Sequence, residues 1–314
     1  MGMLIDGKWQ ADDGGFASDE GDFKRKDSRF RNWVTRDGAP GPTGEGGFKA
    51  ETGRYHLYVA RACPWAHRAT LLREFKGLQD IVGLSVTHWL MAEDGWTFAS
   101  GPGVVPDSVN GVRAMHELYA LAKPDYTGKA TVPVLWDKQR GTIVNNESAD
   151  ILRMFNDAFA EVGASGPDLS PAALRDRIDA VNERVYDGLN NGAYKAGFAT
   201  TQSAYDDAVA GVFETLDWLE SELSAREWLV GDAQTEADWR TWTTLLRFDA
   251  VYHGHFKCNL RRLADYPALS AYARRMRDMP GVEPTVDMDH IKRHYYQSHR
   301  SINPTGIVPA GPAE

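Results

Sequence analysis

Along Tyr55–Val59 the chain alternates. Tyr55, Leu57 and Val59 interleave with His56, Tyr58 and Ala60, the period of two that predicts a half-buried strand. From residue 66 the period lengthens. Ala66, Ala69, Thr70, Leu72 and Arg73 predict a helix over 66–76, and Pro64 suits its first turn, where a missing N–H costs nothing. A second apolar run, Ile81 to Leu90, completes a strand–helix–strand pattern and predicts a parallel pair. Residues 91–110 form a long polar loop around an isolated Trp96, a length typical of functional loops. Helical spacing returns at Met115, Leu118, Tyr119 and Leu121 and stops before Pro124. Thr131 to Trp136 reads as a strand interrupted by Pro133, which cannot donate to a ladder and so belongs at a strand start, a bulge or an edge. Thr142–Val144 is its expected partner, and Ile151, Leu152 and Phe155 predict the helix that follows.

After SGPDLSP at 165–171 the pattern stays helical almost to the end. Leu174, Ile178, Val181, Val185 and Leu189 mark one amphipathic helix, and Ala208, Val212, Leu216 and Leu219 another. Thr235 followed by Asp238 is the spacing of a capping box, which gives Asp238 a structural part rather than a catalytic one. Residues 1–53 show no sustained period and read as an arm anchored through Phe23, Phe30, Trp33 and Phe48. The tail, with Tyr295, Tyr296, Asn303 and three prolines, reads as an ordered non-helical segment laid on the body. The expected division is therefore an arm at 1–53, an α/β domain at 54–164, an all-α domain at 165–290 and a tail at 291–314.

Composition narrows the functional classes. A chain of 314 residues with 42% hydrophobic and 25% charged residues can build two packed domains. A net charge of −9 argues against a nucleic-acid-binding surface, and Arg261, Arg262, Arg274, Arg275 and Arg277 read as solvated helix faces. There is no run of 18 apolar residues and no leader pattern, so no membrane segment is expected and a cytoplasmic location is. Cys63 and Cys258 lie far apart and neither belongs to a CxxC motif, so no structural disulfide or paired dithiol is expected. His253, His255 and Cys258, and separately His290 and His294, have metal-like spacings but lack carboxylate or CxxC companions, so no metal is expected.

The strongest chemical signal is the strand-to-helix junction LYVARACPWAHR, which places Cys63 at a helix N-terminus. Unpaired backbone N–H groups and the helix dipole favour a thiolate there, with Arg61, His67 and Arg68 close by. In such settings a cysteine pKa falls from about 8.5 to about 3.5–7.5. A buried, inert cysteine is the competing reading. Two other features suit a ligand. Pro133 leaves the backbone groups of Val132 open to an extended partner. Glu147 and Ser148 stand at a helix start, which suits a carboxylate but is equally an ordinary cap.

CPWAHR at 63–68, TVPVLWD at 131–137, NNES at 145–148, GHFKCN at 254–259 and HYYQSH with INPTGIVPAGP together resemble the Xi class of glutathione transferases, the glutathionyl-hydroquinone reductases. The resemblance runs from about residue 50 to 312. It implies a thioredoxin-like N-terminal domain joined to an all-helical C-terminal domain, with glutathione as co-substrate and a homodimer as the assembly. It further implies a catalytic Cys63 that forms a mixed disulfide with glutathione. Trp96, Lys129, Val132, Glu147 and Ser148 match the positions that bind glutathione. Tyr194, Tyr252 and Tyr295 match the hydroquinone pocket, with Tyr194 and Tyr295 in proton transfer. At 129 the family pattern has arginine; lysine keeps the charge but loses the planar fork of a bidentate contact. An omega-like deglutathionylase and a non-catalytic interaction module are the rival readings. The first would also use Cys63; the second would need neither that thiol nor the tyrosines.

Overall fold

The computed structural model describes residues 2–11, 21, 23 and 27–312, so the parts of the arm at 12–20, 22 and 24–26 lie outside the described residues. The chain forms two compact units. The first holds the N-terminal hairpin, Asp27–Asp168 and Pro284–His294; the second holds Leu169–Glu283 and the chain from Tyr295 onward.

In the first unit, β1 (Met3–Ile5) and β2 (Lys8–Gln10) pair as an antiparallel hairpin within the expected irregular arm. Three-residue strands are too short to show a period. Then come β3 (Tyr55–Val59), α1 (Pro64–Phe75), β4 (Gly83–Val86), α2 (Met115–Ala122), β5 (Val134–Asp137), β6 (Thr142–Asn145) and α3 (Ser148–Asp157). The sheet order is β4-β3-β5-β6, with β3 and β4 parallel and the other pairs antiparallel, a thioredoxin-like arrangement. The parallel pair is as expected, but β4 stops at Val86, short of the predicted Leu90. β5 starts immediately after Pro133, whose peptide bond with Val132 is cis, and it lies inside the sheet rather than at an edge.

β3 is buried on both faces, not half-buried. The long loop after β4 covers the second face. Tyr58 donates to Asp107 at 2.7 Å, and His56 meets Ser85 at 2.8 Å, whose hydroxyl donates to the Pro106 carbonyl. At the other end of the strand Arg54 Nε donates to the fully buried Asp137 on β5 at 3.0 Å.

The second unit is helical: α4 (Arg175–Val185), α5 (Gly192–Phe198), α6 (Gln202–Ala225), α7 (Glu236–Arg247) and α8 (Pro267–Arg277). π-helical turns at Tyr186–Asn190 and Phe248–Tyr252 extend α4 and α7. The Thr235–Asp238 capping box is present, and the buried Asp238 also accepts from Leu229 N and Tyr272 OH. Finally α9 (Met288–Ser298) carries Met288–His294 with the first unit and Tyr295–Ser298 with the second. The tail differs from the expected non-helical segment. Tyr295 and Tyr296 are helical, and the non-helical segment begins only after Ser298. No helix among the described residues is long and apolar enough to cross a membrane.

Candidate active site

β3 ends in a turn at Ala60, closed by Cys63 N donating to Ala60 O, and Cys63 becomes the N-cap of α1 with Pro64 as first helical residue. Its backbone is extended (φ −75°, ψ 120°), so its sulfur swings back over the helix start and accepts from Ala66 N at 3.5 Å. The first turn of α1 carries no acidic residue that would oppose negative charge. As a thiol, the same sulfur donates toward Val132 O at 3.6 Å. The Cys63 side chain is partly exposed, as a nucleophile must be, whereas Cys258 is fully buried and burial pushes its thiol up to about 12. The two cysteines therefore differ in chemical availability.

Of the other first-unit candidates, Val132 meets this junction directly and Ser148 reaches α1. Val132 touches the Cys63 sulfur by its carbonyl, and Lys129 lies three residues upstream, its own carbonyl accepting from Tyr126 OH. At the end of β6 the N-cap of α3 is Glu147, not Ser148: its carboxylate accepts from Ala149 N at 3.2 Å and from Ser28 Oγ at 3.0 Å. Ser148 is the first helical residue, buried, with its hydroxyl 3.5 Å from Arg68 Nη1 of α1. A carboxylate, a hydroxyl and a guanidinium thus meet at one helix start, a set able to hold a group carrying both an ammonium and a carboxylate. Trp96 is buried, its carbonyl accepts from Met115 N, and its indole stacks on His294 at 4.6 Å between ring centres.

Three of these partners escaped sequence reasoning. Arg68 was visible only as nearby charge in CPWAHR. Ser28 belongs to a stretch with no period. His294 was weighed as a metal ligand, but its Nδ1 instead donates to Trp89 O at 2.9 Å. Among the described residues no group of three or more His, Cys, Asp or Glu side chains is placed to hold a metal.

In the second unit the three tyrosines converge on one hydroxyl. Tyr295 OH lies 2.5 Å from Tyr194 OH and 3.1 Å from Tyr252 OH. Tyr252 and Tyr295 are fully buried and Tyr194 is partly exposed. Burial, then the neighbouring tyrosine, pushes the Tyr252 and Tyr295 phenols well above their ordinary value, Arg247 pulling both partly back. They are neutral hydrogen-bond donors at any physiological pH. Phe256 stacks on Tyr252 at 5.4 Å and packs edge-on to Tyr194 and Tyr295, giving the cluster an aromatic floor.

Residues 62–158 match the model of the glutathione S-transferase N-terminal domain and residues 202–275 that of the C-terminal domain. The chain is 52% identical over 314 residues to the glutathionyl-hydroquinone reductase PcpF of Sphingobium chlorophenolicum, covering 100% of this chain and 97% of that protein. It is 54% identical over 313 residues to the glutathionyl-hydroquinone reductase YqjG of Escherichia coli, covering 99% and 95%. The glutathione-bound structure of YqjG superposes with a TM-score of 0.93 at 52% identity, covering 100% of this chain and 96% of that one. The Xi glutathione transferase of Phanerochaete chrysosporium gives 0.88 at 48% identity, covering 94% of each.

Proposed function

Because the chain belongs to the glutathione S-transferase family and, within it, to the Xi-class glutathionyl-hydroquinone reductases, we propose that it reduces glutathionyl-hydroquinones to hydroquinones with Cys63 as the nucleophile. The observation that carries this reading is the Cys63 sulfur, accepting an N–H at a helix start that has no acid in its first turn. The Cys63 thiolate attacks the glutathionyl sulfur. The carbon–sulfur bond breaks, its electron pair stays with the aromatic carbon, and that carbon takes a proton to give the hydroquinone. A second glutathione thiolate then attacks the Cys63–glutathione disulfide, releasing oxidised glutathione and regenerating the thiolate. The aromatic carbon is reduced and two glutathione sulfurs are oxidised, so the chain needs no second cysteine.

Glutathione is assigned to Trp96, Lys129, Val132, Glu147 and Ser148, with Glu147 and Ser148 at its γ-glutamyl end and Val132 pairing by its backbone. If the ligand's amide takes the Val132 carbonyl, it removes the acceptor toward which the Cys63 thiol points and leaves Ala66 N–H to favour the thiolate. The tyrosines are assigned to the aromatic half of the substrate. Tyr194 delivers the proton and Tyr295 hydrogen-bonds behind it, a role that fits a Tyr295 phenol held neutral by burial. This set also separates the reading from an omega-like thiol transferase, which needs the cysteine but no phenol cluster. A reducing cytoplasm supplies the glutathione, and a homodimer is the assembly we assign.

Wild-type protein is expected to turn over a glutathionyl-hydroquinone with glutathione, and Cys63→Ala to lose that turnover. Intact-mass and peptide analysis after exposure to oxidised glutathione is expected to place one adduct on Cys63. Unchanged turnover in Cys63→Ala, or an adduct on Cys258, defeats the assignment.

A further inference from the structure

The N-terminal hairpin touches two loops that carry residues assigned to glutathione. On one side Leu4 exchanges both backbone hydrogen bonds with Gly128, each 2.9 Å, and Gly7 N donates to Tyr126 O at 2.9 Å. Asp6 N donates to Thr127 Oγ1 at 2.9 Å, so residues 126–128, directly ahead of Lys129 and Val132, are paired to the hairpin like a further strand. On the other side Trp9 Nε1 donates to the Glu93 carbonyl at 2.8 Å. Glu93 lies in a tight turn closed by Gly95 N donating to Ala92 O, with Gly95 at a φ of +66° and Trp96 next in line. The turn packs on the hairpin closely enough that a Cβ at Gly95 would lie 3.1 Å from the Trp9 ring. Trp9 is itself aimed by stacking on His116 of α2, 4.5 Å between centres and 14° between planes.

We propose that the hairpin is a clamp that preorganises the glutathione site, with Trp9 as the positioning residue whose indole N–H holds the Trp96 loop. The proposal rests on the assignment of Trp96 to glutathione. Trp9 acts through the backbone, holding the carbonyl three residues ahead of Trp96. Loops held by these five hydrogen bonds from the hairpin need little ordering when ligand arrives, and affinity improves by the ordering that is avoided. Without the N–H the turn is free to leave the hairpin, and the ligand must restore it.

The test is a two-by-two comparison of KM for glutathione and kcat in wild type, Trp9→Phe, Trp96→Ala and the double variant. Phenylalanine keeps a ring against His116 and lacks only the donor. Trp9→Phe is expected to raise KM for glutathione about threefold to tenfold, the effect of one hydrogen bond, with kcat at saturating glutathione kept within about twofold. In the Trp96→Ala background the same substitution is expected to change nothing further, because its route to the ligand has gone. An unchanged KM in Trp9→Phe, beside a raised KM in Trp96→Ala, overturns the clamp while leaving the site assignment intact. Equal effects of Trp9→Phe in both backgrounds also overturn it, since they mark general destabilisation. An unchanged KM in Trp96→Ala overturns the assignment, and the clamp with it.

Discussion

Tyr295 shares its hydroxyl with both Tyr194 and Tyr252, so the three phenols are not interchangeable. Removing the shared hydroxyl leaves two partners short of a bond, one of them fully buried, at a cost of about 1–3 kcal/mol for a stranded group. Tyr252 also bonds Tyr194, but it lies 3.1 Å from the Tyr295 hydroxyl where Tyr194 lies 2.5 Å away, so Tyr252→Phe removes the longer of the two bonds to Tyr295. Tyr295→Phe is therefore expected to lower both stability and hydroquinone release more than Tyr252→Phe does, with kcat for hydroquinone release in Tyr295→Phe falling about a hundredfold if proton delivery runs through the cluster. Reduction of a preformed Cys63–glutathione disulfide needs no proton on carbon, so single-turnover rates for that half-reaction are expected to stay near wild type. Equal losses in both half-reactions would contradict the role. At this scale the sequence was uneven. Cys63 was legible because a strand, a cysteine and a helix-starting proline are neighbours. The tyrosines stand 101 and 43 positions apart, so no spacing reveals them and only the family resemblance singled them out.

Elements of the sheet were legible where hydrophobic period and turn chemistry agree, as in β3, α1 and β5 after Pro133. The hairpin was not, because its strands are short and its partner at 126–128 is remote in the chain. Nor was the double burial of β3, since His56 and Tyr58 look solvent-facing until the loop past β4 folds over them. That burial has a pH consequence. Desolvation lowers the His56 pKa from 6.5 to about 4. Its folded pKa lies below its unfolded one, so the stability linked to the neutral ring is full above about 6.5. It is lost as pH falls toward 4, in all about 3 kcal/mol. Ser85 donates its proton to Pro106 O, so the His56 ring donates to Ser85 and a glutamine amide can replace that bond without titrating. Urea midpoints for wild type are expected to drop more steeply between pH 7 and pH 4.5 than those of His56→Gln. Parallel profiles would show that His56 does not carry the effect.

For the whole molecule, the first unit is assembled from both ends of the chain. Leu4, Val34 and Phe48 are buried from the N-terminal side. From the C-terminal side Arg61 donates to Pro284 O at 2.9 Å, His67 meets Thr285 Oγ1 at 2.8 Å, His290 meets Pro102 O at 2.7 Å and His294 reaches Trp89 O. With about 2 kcal/mol for each buried side chain and about 1 kcal/mol for each hydrogen bond, these additions amount to about 10 kcal/mol. That is comparable with the entire stability of a typical domain, about 5–15 kcal/mol. We therefore expect residues 54–164, which hold Cys63 and every residue assigned to glutathione, to carry the glutathione contacts yet to be structurally insufficient. A fragment of 54–164 is expected to show no cooperative urea transition and no glutathione binding by calorimetry, while the full chain shows both. A fragment that unfolds cooperatively and binds glutathione as the full chain does would mean that the chain ends decorate this unit rather than complete it.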